Sequence, residues 1–186
     1  MYQIKTYRKA LFLDRDGVIN INHGYVHHFE DFEFIDGIFA LCKHAQRKGY
    51  QIIIITNQSG IARKYYSRKD FETLTKQVKK KFWHQGIKVT QTLYCPHHPD
   101  FNHTCICRKP KAGMIFKAKR RFHISLSKSV MVGDSISDMR CAQLAKIKKR
   151  ILVTHDKPIG NGPPLKRPGN KTYYQTNRLS AIHSIL

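Results

Sequence analysis

Apolar runs and segments of helical period alternate along this chain. "KALFLD" is a short apolar run that ends on Asp14. In "DGIFALCKHAQRKG", Ile38, Leu41 and Ala45 fall at helical spacing, which predicts a helix that stops at Gly49. "YQIIIIT" is β-branched throughout and reads as a parallel strand buried on both faces. "SRKDFETLTKQVKKKFWHQG" predicts a helix with Ser67 as N-cap and Gly86 as its stop. "VTQTLYC" is strand-like, "AGMIFKAKRRFH" helical, and "SVMVGD" a strand ending on an acid. "SISDMRCAQLAK" predicts a helix and "RILVT" a strand, and "NRLSAIHSIL" predicts a terminal helix capped by Asn177. Strands that alternate with helices imply a parallel sheet with right-handed crossovers. The expected fold is therefore α/β, a three-layer, doubly wound, Rossmann-like sheet. The Gly- and Pro-rich "HDKPIGNGPPLKRPGNK" reads as a surface loop. No internal repeat or boundary is visible, so residues 1–186 are expected to form one domain.

Composition narrows the picture. At 186 residues and 41% hydrophobic content the chain can bury a core, and disorder is excluded. No apolar run reaches membrane-spanning length, and "MYQIKTYRKALFLD" lacks a secretory apolar block, so a cytoplasmic protein is expected. Five cysteines, an odd number with three of them clustered, suit metal binding in a reducing compartment better than disulfides. The net charge of +22 attracts anions such as nucleic acid, anionic lipid or phosphorylated metabolites. A lysine-rich surface that serves solubility is the plainer account. Apart from "KQVKKKF" the basic residues are scattered, so no arm or stripe points to nucleic acid.

Candidate chemistry sits where strands end. Ligands of open α/β sheets bind beyond the carboxyl ends of the strands. There "ALFLDRDG" delivers Asp14 and Asp16, "IIIIT" delivers Thr56, and "VMVGD" delivers Asp134, with Asp138 one turn into the next helix. In an extended segment Asp14 and Asp16 share a face and Arg15 points away. Two carboxylates this close need a cation between them or a proton on one of them. With Asp134 they offer the oxygen-rich donor set that Mg²⁺ prefers. A single acid at a strand end would read as a loop cap. Three acids beside Thr56 and Lys109 read as a site.

A second cluster lies in "LYCPHHPDFNHTCICRKP". Cys95-x-His97 and Cys105-x-Cys107, with His98 and His103 as competing ligands, offer three thiolates and an imidazole, which suits tetrahedral Zn²⁺. Four protein ligands leave no open position for water, so this zinc is expected to be structural.

"FLDRDGVIN", "ITNQSG", "CRKP" and "VGDSISDM" resemble, in order, the four motifs of the haloacid dehalogenase-like phosphatases. The match runs from about residue 10 to about residue 155, with no room for a large cap domain between the first two motifs. The resemblance implies Asp14 as nucleophile, Asp16 as acid and base, and Thr56 and Lys109 as ligands of the transferring phosphoryl group. Asp14, the Asp16 carbonyl and Asp134 would hold Mg²⁺, and Asp138 would orient Lys109 or a metal-bound water. The acid role of Asp16 asks for a raised pKa, which a neighbouring carboxylate can supply.

"HGYVH", "FEFIDG", "TNQSGIAR", "YCPHHP" and "CICRKPKAGM" further resemble the D-glycero-D-manno-heptose-1,7-bisphosphate 7-phosphatases of lipopolysaccharide-core precursor synthesis. That family implies a small phosphorylated sugar as partner, with no nucleic acid and no membrane, and a monomer. It selects His97 as the fourth zinc ligand. It also implies substrate contacts from Asn22, His23, Gly24, Tyr25, Thr56, Asn57, Gln58 and Ser59, and from Arg108 and Lys109. The related histidinol-phosphate phosphatases rank second, since they share the zinc loop but typically lack "HGYV" and the "SGIAR" ending. A polynucleotide-end phosphatase, or a basic nucleic-acid binder, is the class-level alternative that the charge favours. Ser135 stands where the family commonly has Lys, Lys64 where a Gly usually follows, and "AKIKKRILVTHDK" lacks the usual glycines. These departures bear on fine specificity rather than reaction class.

Other residues read as structural. Cys42, Cys141, Phe82 and Trp83 are expected in the core, and Lys79 to Lys81 on a solvated helix face. His27, His28, His44, His84 and His123 read as surface or structural groups, and Tyr65 and Tyr66 as either lining the site or packing.

Overall fold

In the computed structural model, residues 7–154 and 172–186 are described. Six parallel strands form one sheet: β1 (Lys9–Leu13), β2 (Tyr50–Asn57), β3 (Val89–Cys95), β4 (Val130–Gly133), β5 (Lys149–Val153) and β6 (Tyr174–Thr176), in the order β3-β2-β1-β4-β5-β6. The order reverses at β1, which pairs with β2 from Lys9↔Tyr50 to Leu13↔Ile54 and with β4 from Leu11↔Val130 to Leu13↔Val132. That reversal is the switch point at which open α/β sheets bind ligands, and it places Asp14 and Asp134 on adjacent strand ends.

Strand alternation explains the layering. Leu11, Leu13, Ile52, Ile54, Val130 and Val132 face α1 (Ile38–Arg47) and α3 (Arg68–His84) in one core. Phe12, Ile53, Ile55 and Met131 face α4 (Gly113–Phe122) and α5 (Ile136–Leu144) in the other. Ile52 to Ile55 are all buried, as a parallel strand covered on both faces requires. Each such side chain contributes about 1.5–3 kcal/mol on burial. The three-layer α/β fold expected from the pattern is the fold found, with no large cap over it among the described residues. Among the described residues the remaining helices are the single turn α2 (Ser59–Ala62) and 3₁₀ turns at Leu126–Lys128 and Leu179–Ser184.

Ser67 caps α3 in a reciprocal capping box: its hydroxyl accepts from Asp70 N at 3.2 Å while Asp70 Oδ2 accepts from Ser67 N at 2.8 Å. The chain end differs from expectation. It is 3₁₀ rather than α-helical, and it is entered through Arg178 with no side-chain cap from Asn177. Its two buried residues, Leu179 and Ile182, are three apart, a spacing that a 3₁₀ turn keeps on one side. Trp83 is also corrected, being 69% exposed. The buried stripe of α3 runs through Phe71, Leu74, Val78 and Phe82, and a residue one step past Phe82 turns away from it. Cys42 and Cys141 are buried as expected. The loop read over 155–171 lies outside the described residues.

Candidate active site

β1 ends at Leu13, and the chain turns at once rather than continuing extended. Arg15 O accepts the N–H groups of Ile19 at 2.7 Å and of Val18 and Asn20 at 3.2–3.3 Å. The sequence rule that turned Arg15 away from its acidic neighbours therefore fails. Arg15 is buried, and its guanidinium folds onto Asp16, with Nη2 2.8 Å and Nε 3.1 Å from Oδ1. Nη2 also donates to Val26 O at 2.8 Å. Asn20 Nδ2 donates to the same Asp16 oxygen at 3.1 Å, and Gln58 Nε2 to the other at 3.1 Å. The Asp16 carboxylate is thus held from three sides.

Asp14 is held differently. Its Oδ1 accepts from Arg15 N at 2.7 Å, and its Oδ2 lies 2.7 Å from Lys109 Nζ. The same ammonium lies 2.6 Å from Asp138 Oδ1 and donates to Ile55 O at 3.2 Å. An ammonium has three N–H bonds, so those of Lys109 are all committed inside the protein. Burial and the Asp14 and Asp138 charges act on Lys109 together; burial opposes its charge but the two acids prevail, and its pKa is raised. Asp14 is driven well above the ordinary carboxylate range by burial and by Asp138, against the pull of Lys109. Asp138 Oδ2 meanwhile accepts from Ser135 Oγ at 2.6 Å and Ser135 N at 3.2 Å, closing the capping box of α5. Ser135 therefore serves as a helix cap at the position of its departure from the family pattern.

Two backbone features bring these groups together. Asn57, at the end of β2, clamps Lys109 through its amide, with Nδ2 donating to Lys109 O at 3.1 Å and Oδ1 accepting from Lys109 N at 3.0 Å. Gly17, at φ +77°, passes so close to Asp134 that an added Cβ would fall 2.1 Å from its Oδ2. Only glycine permits that approach.

Asp14, Asp134 and Asp138 each offer an oxygen, and these atoms lie within 4.8 Å of one another. Asp134 is pushed up to about 6 by burial, with the Asp138 charge adding to it. Among the described residues, Asp14, Asp16, Asp134 and Asp138 stand against Arg15 and Lys109 alone, so the cluster there is short of positive charge. A hard divalent cation with oxygen ligands fits this donor set.

A cavity of about 360 Å³ opens over these groups. Of the residues expected to line a site, Asp14, Asp16, Asn22, Gly24, Tyr25, Thr56, Asn57, Gln58, Ser59, Lys109 and Asp134 do so, joined by Arg15, Tyr66, Ser135 and Ser137. His23 and Arg108 do not. His23 Nε2 lies 3.6 Å from Glu33 at the rim, and Arg108 Nη1 donates to His97 O at 3.1 Å. Lys64 adopts φ +61°, which explains why glycine suits that position.

The cysteine cluster assembles beside the site. The Sγ atoms of Cys95, Cys105 and Cys107 lie 3.1–3.4 Å apart, and His97 Nδ1 is 3.5 Å from Cys107 and 3.8 Å from Cys95. Those spacings approach the roughly 3.5–3.8 Å edges of a tetrahedron around zinc with Zn–S of about 2.3 Å. His97 joins the three thiols, whereas His103 packs against its ring at a 46° tilt with centroids 4.2 Å apart and His98 turns to Asp100. Gly113 N donates to Ile106 O at 3.1 Å and Lys111 Nζ to Cys105 O at 2.9 Å, so the loop is tied to the start of α4.

Residues 11–157 match the family described as polynucleotide kinase 3 phosphatase. A D-glycero-alpha-D-manno-heptose-1,7-bisphosphate 7-phosphatase from Campylobacter jejuni is 49% identical over 82% of this chain and 87% of its own length. A D-glycero-beta-D-manno-heptose-1,7-bisphosphate 7-phosphatase from Escherichia coli K12 is 42% identical over 81% of each. Among solved structures, D,D-heptose 1,7-bisphosphate phosphatase from B. bronchiseptica, complexed with magnesium and phosphate, aligns over 95% of this chain and 97% of its own, with a TM-score of 0.78 and 25% identity.

Proposed function

The chain belongs to the family described as polynucleotide kinase 3 phosphatase and, through relatives 42–49% identical to it, to the haloacid dehalogenase-like heptose-1,7-bisphosphate 7-phosphatases, and from that premise we propose that it removes the 7-phosphate of D-glycero-D-manno-heptose 1,7-bisphosphate. The observation that carries the reading is the buried Asp14 carboxylate at the end of the central strand, pinned by Lys109 and facing a polar cavity.

Asp14 attacks phosphorus and becomes an aspartyl-phosphate, which divides the hydrolysis into two easier steps. Asp16 in its protonated form gives a proton to the departing sugar oxygen and, as the carboxylate so formed, takes one from the attacking water. The Thr56 hydroxyl donates to a phosphoryl oxygen. Lys109 does the same by releasing its bond to Asp14, since its other two donors are held by Asp138 and Ile55 O. Such donors, fixed before the reaction, are the main source of charge stabilisation. Asp14, Asp134 and the Asp16 carbonyl would hold Mg²⁺, which lessens repulsion between the nucleophile and the phosphate. Asn22 to Tyr25, Asn57 and Ser59 contact the sugar, and Arg108 its second phosphate on release from His97 O. The zinc cluster is structural and steadies the loop that carries Lys109.

The anomer proposed is alpha, which the relative at 49% identity carries in its name, rather than beta, carried by the one at 42%. The setting proposed is lipopolysaccharide-core precursor synthesis in the cytoplasm, by a monomeric single-domain enzyme. No helix among the described residues is long and apolar enough to cross a membrane.

The family description and the net charge of +22 favour a polynucleotide-end phosphatase as the class-level alternative. Comparing kcat/KM for both heptose bisphosphate anomers, histidinol phosphate and a 3′-phosphorylated oligonucleotide separates them. The alpha heptose is expected to lead, and a strong preference for the oligonucleotide would overturn the first reading. Stripping zinc with a chelator is expected to lower both the melting temperature and turnover. Full activity after zinc loss verified by elemental analysis would remove the structural role.

A further inference from the structure

Gln58 lies in the cavity wall, yet its amide is entirely engaged inside the protein. Nε2 donates to Asp16 Oδ2 at 3.1 Å and to Thr56 Oγ1 at 2.8 Å, and Oε1 accepts from Tyr66 Oη at 2.6 Å. The residue is only 2% exposed. The two ends of an amide are nearly alike in shape, so a partner must decide which end faces the acid. Tyr66 makes that decision together with the Asp16 carboxylate, each engaging one end of the amide. Burial pushes its pKa up to about 12, so the phenol keeps its proton and donates it to Oε1.

The surroundings fix the phenol in turn. His27 stacks on the Tyr66 ring at 5.0 Å and 11°. An added Cβ at Gly60 would fall 2.1 Å from Tyr66 Cε1, so glycine makes room for the ring. Without the phenol the amide oxygen loses its donor and the amide turns over more readily, held in its present sense by Asp16 and Thr56 alone. Its carbonyl would then oppose Asp16 Oδ2, and it would also compete for the proton that Thr56 offers to a phosphoryl oxygen. The present arrangement makes Thr56 Oγ1 an acceptor from Gln58, which leaves its own O–H free for the substrate.

We propose that Tyr66 and Gln58 form a positioning relay that orients both the proton-transferring carboxylate of Asp16 and the hydroxyl of Thr56, and that Gln58 acts through these two residues rather than as a substrate contact. The proposal rests on the reading of Asp16 as general acid and base.

The test uses leaving groups. A sugar phosphate needs its leaving oxygen protonated, whereas p-nitrophenyl phosphate leaves as a stable anion. Misplacing the acid therefore slows the first more than the second. Tyr66→Phe is expected to lower the ratio of kcat for heptose bisphosphate to kcat for p-nitrophenyl phosphate by roughly tenfold, a part of the general-acid contribution. KM for both should stay within about twofold, since no substrate contact is removed. Gly60→Ala, which displaces the same ring by another route, is expected to shift the ratio the same way. It carries the test if Tyr66→Phe does not fold. Asp16→Asn is measured alongside. If Asp16→Asn leaves the ratio unchanged, the assignment of Asp16 falls and the relay with it. If Asp16→Asn lowers the ratio and the Tyr66 and Gly60 variants do not, or if those two raise KM alone, the relay is overturned and the proposed reaction stands.

Discussion

Asp14→Asn is expected to lower phosphate release by roughly 10³-fold or more while the protein stays folded. An amide of the same shape cannot form the acyl-phosphate, so the two-step route closes. Stability should not suffer. Asp14 is raised well above the usual carboxylate range by burial and by the Asp138 charge, so its ionised form is the costly one in the folded protein. An asparagine removes that cost and still presents an oxygen to Lys109 Nζ, 2.7 Å away in the parent. The variant is therefore expected to melt at or above the parent temperature in metal-free buffer. Activity within a few per cent of the parent, with the melting curve intact, would mean that another group attacks phosphorus.

The pattern of apolar runs was enough to read the sheet. Ile52 to Ile55 and Val130 to Val132 are uninterrupted because their strands are covered on both faces, and polar residues follow at the strand ends, Thr56 directly after the first run and Asp134 after Gly133. For that reason Asp14, Thr56 and Asp134 stood out, and the structure gathers them over one cavity. β6 was not legible, because three residues, Tyr174–Thr176, offer too short a stretch for period two to declare itself. Arg15 escapes the alternation for a different reason. The strand ends at Leu13, so period two no longer applies at Arg15, and the turn there sends the guanidinium inward to Asp16. A charged residue between two acids reads as solvated until the fold supplies it with Val26 O and a carboxylate. In the cysteine cluster the spacing named the thiols but left His97, His98 and His103 open. Only the local turn, in which Asn102 Oδ1 accepts from His98 N at 2.9 Å, separates His98 from the ring that joins the sulfurs. Gln58 illustrates the same limit, since nothing in "TNQSG" distinguishes an amide that faces a ligand from one that faces Asp16.

Lys109→Met should produce the largest combined loss, in stability and in turnover. The side chain is 2% exposed and its ammonium lies between Asp14 at 2.7 Å and Asp138 at 2.6 Å. Methionine fills a similar volume but leaves two buried carboxylates facing each other. Removing one partner of a buried ionic cluster costs about 3–5 kcal/mol, more than the pairing itself contributes, because the charges left behind have no water to solvate them. The sign of the pH dependence follows. Asp14 is already raised by burial and by the Asp138 charge, and without the ammonium that opposes them it holds its proton still more tightly in the folded state than in the unfolded chain, so stability rises as pH falls and the folded protein takes up protons. The deficit relative to the parent is therefore expected to be greatest at neutral pH and to shrink on acidification, as read by denaturant melts at several pH values. Mg²⁺ should also recover part of it, through Asp14 and Asp134. Turnover should not return with the metal, because no N–H remains to meet the phosphoryl oxygen that Lys109 would bind. A variant that unfolds at the parent's denaturant midpoint at neutral pH would show that the two acids are solvated or protonated in the folded protein, and that Lys109 does not hold the site together.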